Sequence, residues 1–125
     1  MSFNSQIESS EYRLKQVLED YFVSEFDERS LPSHGLEHHR RVWEYCKEIT
    51  VTLRKRGHPF KDLFFDNLIV AAYLHDIGMI VDSGPRHGKH SREMCTHFLK
   101  INRLNIEDFH EALEIIEYHD RKDYE

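Results

Sequence analysis

The chain has 125 residues, 39% of them apolar and 32% charged, with a formal net charge of −6. That length suits one domain and leaves little room for a second. The acidic balance argues against a nucleic-acid duplex as partner. No apolar run reaches the roughly 18 residues of a membrane span, and Met1–Ser10 lacks the apolar core of a signal peptide.

Cys46 and Cys95 stand far apart and form no disulfide framework. They read as reduced thiols, so the expected location is the cytoplasm. Turns are marked at 32–35, 57–59 and 78–88, and helices are expected between them. The first runs over about 10–26, with Leu14, Val17, Leu18, Tyr21 and Phe22 on one stripe. The second spans about 35–56, with Val42, Cys46, Ile49 and Leu53 inward, and Gly57 and Pro59 end it. The third, about 62–76, is apolar all round through Leu68–Leu74 and is expected to be buried on most sides. The fourth covers about 89–102, with Met94, Cys95, Phe98 and Ile101 inward. The fifth starts at Asn105, a good N-cap with Asp108 three residues on, and buries Ile106, Phe109, Leu113 and Ile116. The expected fold is all-α, a compact bundle of five or six helices. An N-terminal helix within 1–30 packs on a domain over 31–125, the whole forming a single domain.

Histidine is the anomaly: there are ten, spread through the chain. His75-Asp76 stands where an apolar helix emerges, and such a pair is costly there without compensation. A divalent cation would compensate both groups. A solvated helix end would explain an isolated pair, but this one has company. His34 and His38 at i and i+4 share a face. Val42 and Ile49 continue that face inward, placing His38 on the inner edge, with His39 and Arg40 expected to face solvent. His119 follows Ile116 by three and extends the inner side of its helix, whereas His110 is less well placed. His87 and His90 lie at the start of the fourth helix. Helix ends that each offer an inward imidazole or carboxylate are what a bundle metal site needs. These ligand types suit Mn, Fe, Zn, Ni, Co or Mg to differing degrees.

His38-His39-Arg40-Arg41-Val42 resembles the His-x-x-Arg-Val opening of HD-superfamily domains, and His34-Gly-Leu-Glu-His38 a variant of the same helix. Ala71-Ala72-Tyr73-Leu74-His75-Asp76-Ile77-Gly78 is similar to the family's Ala-Ala-x-Leu-His-Asp-Ile-Gly signature. His87-Gly-Lys-His-Ser91 and Ile115-Ile116-Glu117-Tyr118-His119 resemble its later elements. The resemblance covers roughly 33–120, in order. It implies a metal-dependent phosphohydrolase holding one or two divalent cations. His38, His75 and Asp76 would be the core ligands, with Asp76 bridging if two ions bind, and His87 and His119 match positions that hold the second. The substrate would be a phosphomonoester or phosphodiester, a nucleotide or another small phosphorylated metabolite. The cation would polarise a phosphoryl oxygen and activate water that Asp76 orients. Arg86, Lys89 and Arg41 could neutralise the phosphate, and His34 could bind substrate or shuttle a proton.

Two departures stand out. The family's closing aspartate lies on a further helix after the last histidine. Asp120 and Asp123 come too early to match it, so the chain is expected to stop short of that ligand or to diverge there. Met79 stands where many relatives carry lysine, which removes a phosphate contact. The competing reading is therefore a non-catalytic HD-like module that binds metal or nucleotide. Oxygen-using di-iron chemistry, also found in the superfamily, would need the full ligand set. A plain bundle with incidental histidines would take up no metal. The basic run Arg54-Lys55-Arg56 ends a helix, where cations suit the dipole, and carries no DNA-binding reading. A homo-oligomer is compatible with all of these.

Overall fold

The computed structural model describes residues 3–26, 34–81 and 84–119, and among them there is no strand. The all-α expectation holds. Helices α1 (Phe3–Ser10) and α2 (Gln16–Glu25) run into one another through a π turn at Glu11–Lys15. Leu14, Leu18, Tyr21 and Phe22 are buried as expected, but the helix starts about two turns earlier than the apolar stripe suggested, with Ile7 and Ser10 also buried. Polar contacts hold that extension. Ser10 Oγ donates to Asp66 Oδ1 at 2.5 Å, and Arg13 grips both oxygens of the same carboxylate at 2.6 and 3.1 Å. Glu11, in the π turn, accepts instead from Trp43 Nε1 and Lys47 Nζ, both at 2.7 Å. Farther on, Glu19 takes a two-pronged bond from Arg40 and the hydroxyl of buried Tyr73 at 2.8 Å.

Helix α3 (Leu36–Lys55) is rotated by about one residue from the expected phase. His39, Trp43 and Thr50 are its buried residues, while Ile49 is 59% exposed and Val42 and Leu53 are only partly covered. Two adjacent stripes of α3 carry apolar groups, and the one bearing Trp43 wins. The large indole sheds the most water there, and its N–H finds Glu11.

Helix α4 (Phe64–Leu74) is the central element, buried from Phe65 to Leu74 except at Leu68. It follows Leu63, whose φ of 69° is left-handed, and it carries two buried polar groups. Asp66 anchors α1 and the π turn, and Asn67 accepts from Ala112 N at 2.9 Å and donates to Asp108 O at 2.8 Å. After α4 the chain makes a 3₁₀ turn, Ile77–Ile80, then α5 (His87–Ile101), a second 3₁₀ turn, Ile106–Phe109, and α6 (His110–Tyr118). Asn105 caps that last turn by accepting from Glu107 N. In α5, Ile101 was expected inward but is 56% exposed, because Leu99 fills the inward place one turn after Cys95.

Two glycines bring these segments into direct backbone contact. A Cβ on Gly78 would stand 2.3 Å from Ser91 N, and one on Gly88 2.3 Å from Glu117 O. Gly78 N donates to buried Ser91 Oγ at 2.7 Å, and Arg92 pairs with Glu117 at 2.8 Å. Cys46 and Cys95 are free. Among the described residues, no helix is long and apolar enough to cross a membrane. Asp120 and Asp123 lie outside the described residues.

Candidate metal centre

Asp76, only 7% exposed, is where the helix ends converge. It follows the last residues of α4, whose C-cap is His75. Its Oδ2 lies 3.2 Å from His75 Nε2, 3.3 Å from His34 Nδ1 and 3.8 Å from His39 Nε2. Its Oδ1 lies 3.1 Å from His119 Nε2 and 3.6 Å from His87 Nε2. Each carboxylate oxygen thus faces its own set of imidazoles. His38 belongs to the first set: one of its nitrogens lies within 4.8 Å of the ligand atoms of His39, His75 and Asp76.

Four of the rings share one orientation. Nδ1 of His39 bonds Gly35 O at 2.9 Å, that of His75 bonds the carbonyls of Ala71 and Ala72 at 3.1 Å, that of His87 bonds Gly84 O at 2.9 Å, and that of His119 bonds Ile116 O at 2.8 Å. A carbonyl only accepts, so each Nδ1 carries a proton, and Nε2 is the ring atom turned toward Asp76, where it can donate a proton to the carboxylate or offer a lone pair to a cation. Backbone acceptors of this kind fix the tautomer and aim of metal-binding histidines.

The result is a cluster of imidazole nitrogens around one carboxylate. His87 Nε2 and His119 Nε2 face each other at 3.3 Å. His39 Nε2 is buried with no hydrogen-bond partner. Lone pairs directed at one another and at a carboxylate repel unless positive charge lies among them. Protons are one source, but burial pushes His39 down to about 4, so this ring stays neutral at neutral pH. His38 is lowered too, first by burial and then by His75. Burial alone would raise the pKa of Asp76. Contact with His119 and His75 outweighs that and holds the carboxyl well below the usual carboxylate range, keeping it ionised. A divalent cation fits this donor set. The two clusters suited to one, His38–His39–His75–Asp76 and Asp76–His87–His119, meet at Asp76.

The structure therefore brings together His34, His38, His75, Asp76, His87 and His119. It corrects the expectation for His39, which is 0% exposed instead of facing solvent, and packs on Phe22 and His75 at ring separations of 4.9 and 5.0 Å. The cause is the phase of α3: with Trp43 inward, the residue one turn before it is inward as well. That spacing was the available signal. Arg86 and Lys89 are exposed at the start of α5 and lie outside the cluster, and Arg41 is exposed on α3. His110 pairs with Glu114 on the surface.

No curated protein and no solved structure matches the chain. The family model described as "HD domain" matches residues 35–124, a span that includes every residue of the two clusters and begins just after His34. With the His75-Asp76 pair at the centre of that span, the chain belongs to the HD domain family.

Proposed function

We propose that this HD domain is a metal-dependent phosphohydrolase acting on a phosphomonoester or phosphodiester, a nucleotide or another small phosphorylated metabolite. One observation carries the reading: the two oxygens of a buried carboxylate face separate sets of imidazole nitrogens. His75 and Asp76, with imidazoles of α3, would hold one divalent ion, and Asp76, His87 and His119 a second. A donor set this rich in imidazole favours transition ions such as Mn, Fe, Co, Ni or Zn over Mg. Such a cation, when bound, polarises a phosphoryl oxygen and lowers the pKa of water beside it.

The chain's own residues supply the rest. Asp76 orients the attacking water through the oxygen edge it turns to the site. His34, half-buried beside Asp76 Oδ2, bonds the substrate or passes a proton. Arg86 and Lys89, with Arg41, offset phosphate charge in a protein whose net charge is −6. Free thiols and the absence of a membrane-crossing helix among the described residues support a cytoplasmic setting, with the N-terminal helix as an adjunct to a domain over 31–125.

The test is elemental analysis of the purified protein beside Asp76→Ala, followed by hydrolysis of a nitrophenyl phosphomonoester and phosphodiester with added manganese. The expected result is near-stoichiometric transition metal and turnover in the parent, both lost in the variant. Metal without turnover on either ester, or on a nucleotide panel, would favour a non-catalytic binding module. No metal even after incubation with manganese would refute the centre.

A further inference from the structure

Helix α3 turns the stripe bearing Trp43 to the core and leaves its other apolar stripe outside. Tyr45 and Ile49 on that second stripe are 62% and 59% exposed. Cys46 and Leu53 beside them are only partly covered, and Thr52 is exposed. Glu48, Ile49, Thr52 and Leu53 line a shallow hollow of about 290 Å³. Tyr45, Ile49, Thr52 and Arg56 recur at the alternating four- and three-residue spacing of a helix seam that packs on another helix. Glu48 and Lys55, one heptad apart, stand along one edge of this seam. Both are exposed, and neither is held in an ion pair among the described residues. One exposed apolar side chain is ordinary; a row of them at helix-packing spacing marks a contact surface.

We propose that this face binds a second copy of the chain, with the two α3 helices antiparallel about a two-fold axis. The charges on the edge select both the partner and the register. A two-fold contact sets each edge against its own reverse. In the register that lays Ile49 on the partner's Thr52, Glu48 meets the partner's Lys55, and symmetry makes that pair twice. The same register lays Cys46 on the partner's Leu53, and Tyr45 beside the partner's Arg56, whose guanidinium can cover the ring. With Ile49 on the partner's Tyr45 instead, Glu48 meets the partner's Glu48 and Arg41 meets the partner's Lys55, like charges in both places. With Tyr45 on the partner's Val42, Arg41 meets the partner's Glu48, but Lys55 is left out and the partner's Ile49 falls on His38. The favoured contact runs over 45–56, about 18 Å of helix. That is short for a permanent interface and suits a weak, reversible dimer. It begins nearly two turns after His39, so the metal centre stays open.

The experiment is sedimentation equilibrium of the full chain from low micromolar to submillimolar concentration. The parent is compared with Glu48→Lys, with Lys55→Glu and with the double exchange that carries both. All three change exposed residues, and far-UV circular dichroism with Tm reports folding; Glu48→Gln and Lys55→Gln replace any variant that does not fold. The parent is expected to form a dimer that dissociates on dilution. Each single reversal sets like charges together at two symmetric places and should raise the dimer Kd at least about tenfold. The double exchange restores opposite charges and should return Kd to within about threefold of the parent. Ile49→Ser, which removes only apolar surface, should also weaken the dimer. A parent that stays monomeric throughout would overturn the proposal, whether the face is bare or covered by something other than a second copy. Parent-like dimers in both single variants would overturn it too. An effect of Glu48→Lys without one of Lys55→Glu would reject this register, and so would a double exchange no better than the single ones.

Discussion

Asp76 shows how much one residue can be asked to do. Its burial would normally protonate it, yet the ring of histidines keeps it ionised, so its charge is available only because its neighbours surround it. Glu19 is a second buried carboxylate with a different task. Its pKa is lowered, chiefly by the hydrogen bond from Arg40 and against the opposing effect of burial. A depressed carboxylate stabilises the fold above its unfolded pKa, near 4.5, and that stability is lost as pH falls through the carboxylate range. Glu19→Gln is expected to cost about 1–2 kcal/mol at pH 7, moderated because Arg40 is partly exposed. The gap between parent and variant in Tm should narrow as pH falls toward 3; a constant gap would count against the ion pair as its cause. Cys95, whose thiol is pushed up to about 12 by burial, should resist alkylation in the native protein and react on unfolding.

Between elements, the end of the bundle that holds His87 and His119 depends on backbones meeting without side chains. Gly88 touches Glu117 O, two residues before His119, and it follows His87. Gly88→Ala would force a methyl to 2.3 Å from a backbone oxygen that cannot swing away. We expect a loss of about 1–3 kcal/mol and a wider separation of the two imidazoles. Metal analysis should then show the Asp76–His87–His119 ion lost before the one at His75; unchanged metal content and Tm would show that α5 and α6 can shift without consequence. At the opposite end, α1 and the π turn hang on Asp66. Asp66→Ala strands Ser10 and Arg13, at a cost of about 1–3 kcal/mol. Faster amide exchange confined to Phe3–Ser10 would mark local release of that helix, and unchanged exchange there would rule out the clamp.

For the whole molecule, the proposed metal centre would link metal binding to folding, because its candidate ligands come from segments far apart in sequence: 38–39, 75–76, 87 and 119. The unfolded chain cannot assemble them. Free metal at a hundred times its Kd should add about 2.7 kcal/mol, or roughly 10 °C in Tm for a domain of this size. Calorimetry with and without Mn²⁺ checks this, with Asp76→Ala as the control that should not respond. A shift of equal size in that variant would place the ion elsewhere.

Much of this was written along the chain. The all-α class, the buried α4 and the stripes of α2 and α6 follow from periodicity, because a helix that hides one side must repeat its apolar residues every three to four positions. His75-Asp76 was legible because an ionisable pair at the end of an apolar helix has few inexpensive explanations. Other features were decided only when the elements packed. Helix α3 offers two neighbouring stripes that differ by one residue, and local pattern cannot choose between them. Trp43 docking against the π turn chose, and that turned His39 into the core instead of out to water. The early start of α1 was invisible for a similar reason. It is held by a carboxylate on α4, more than fifty residues away, and not by an apolar stripe of its own.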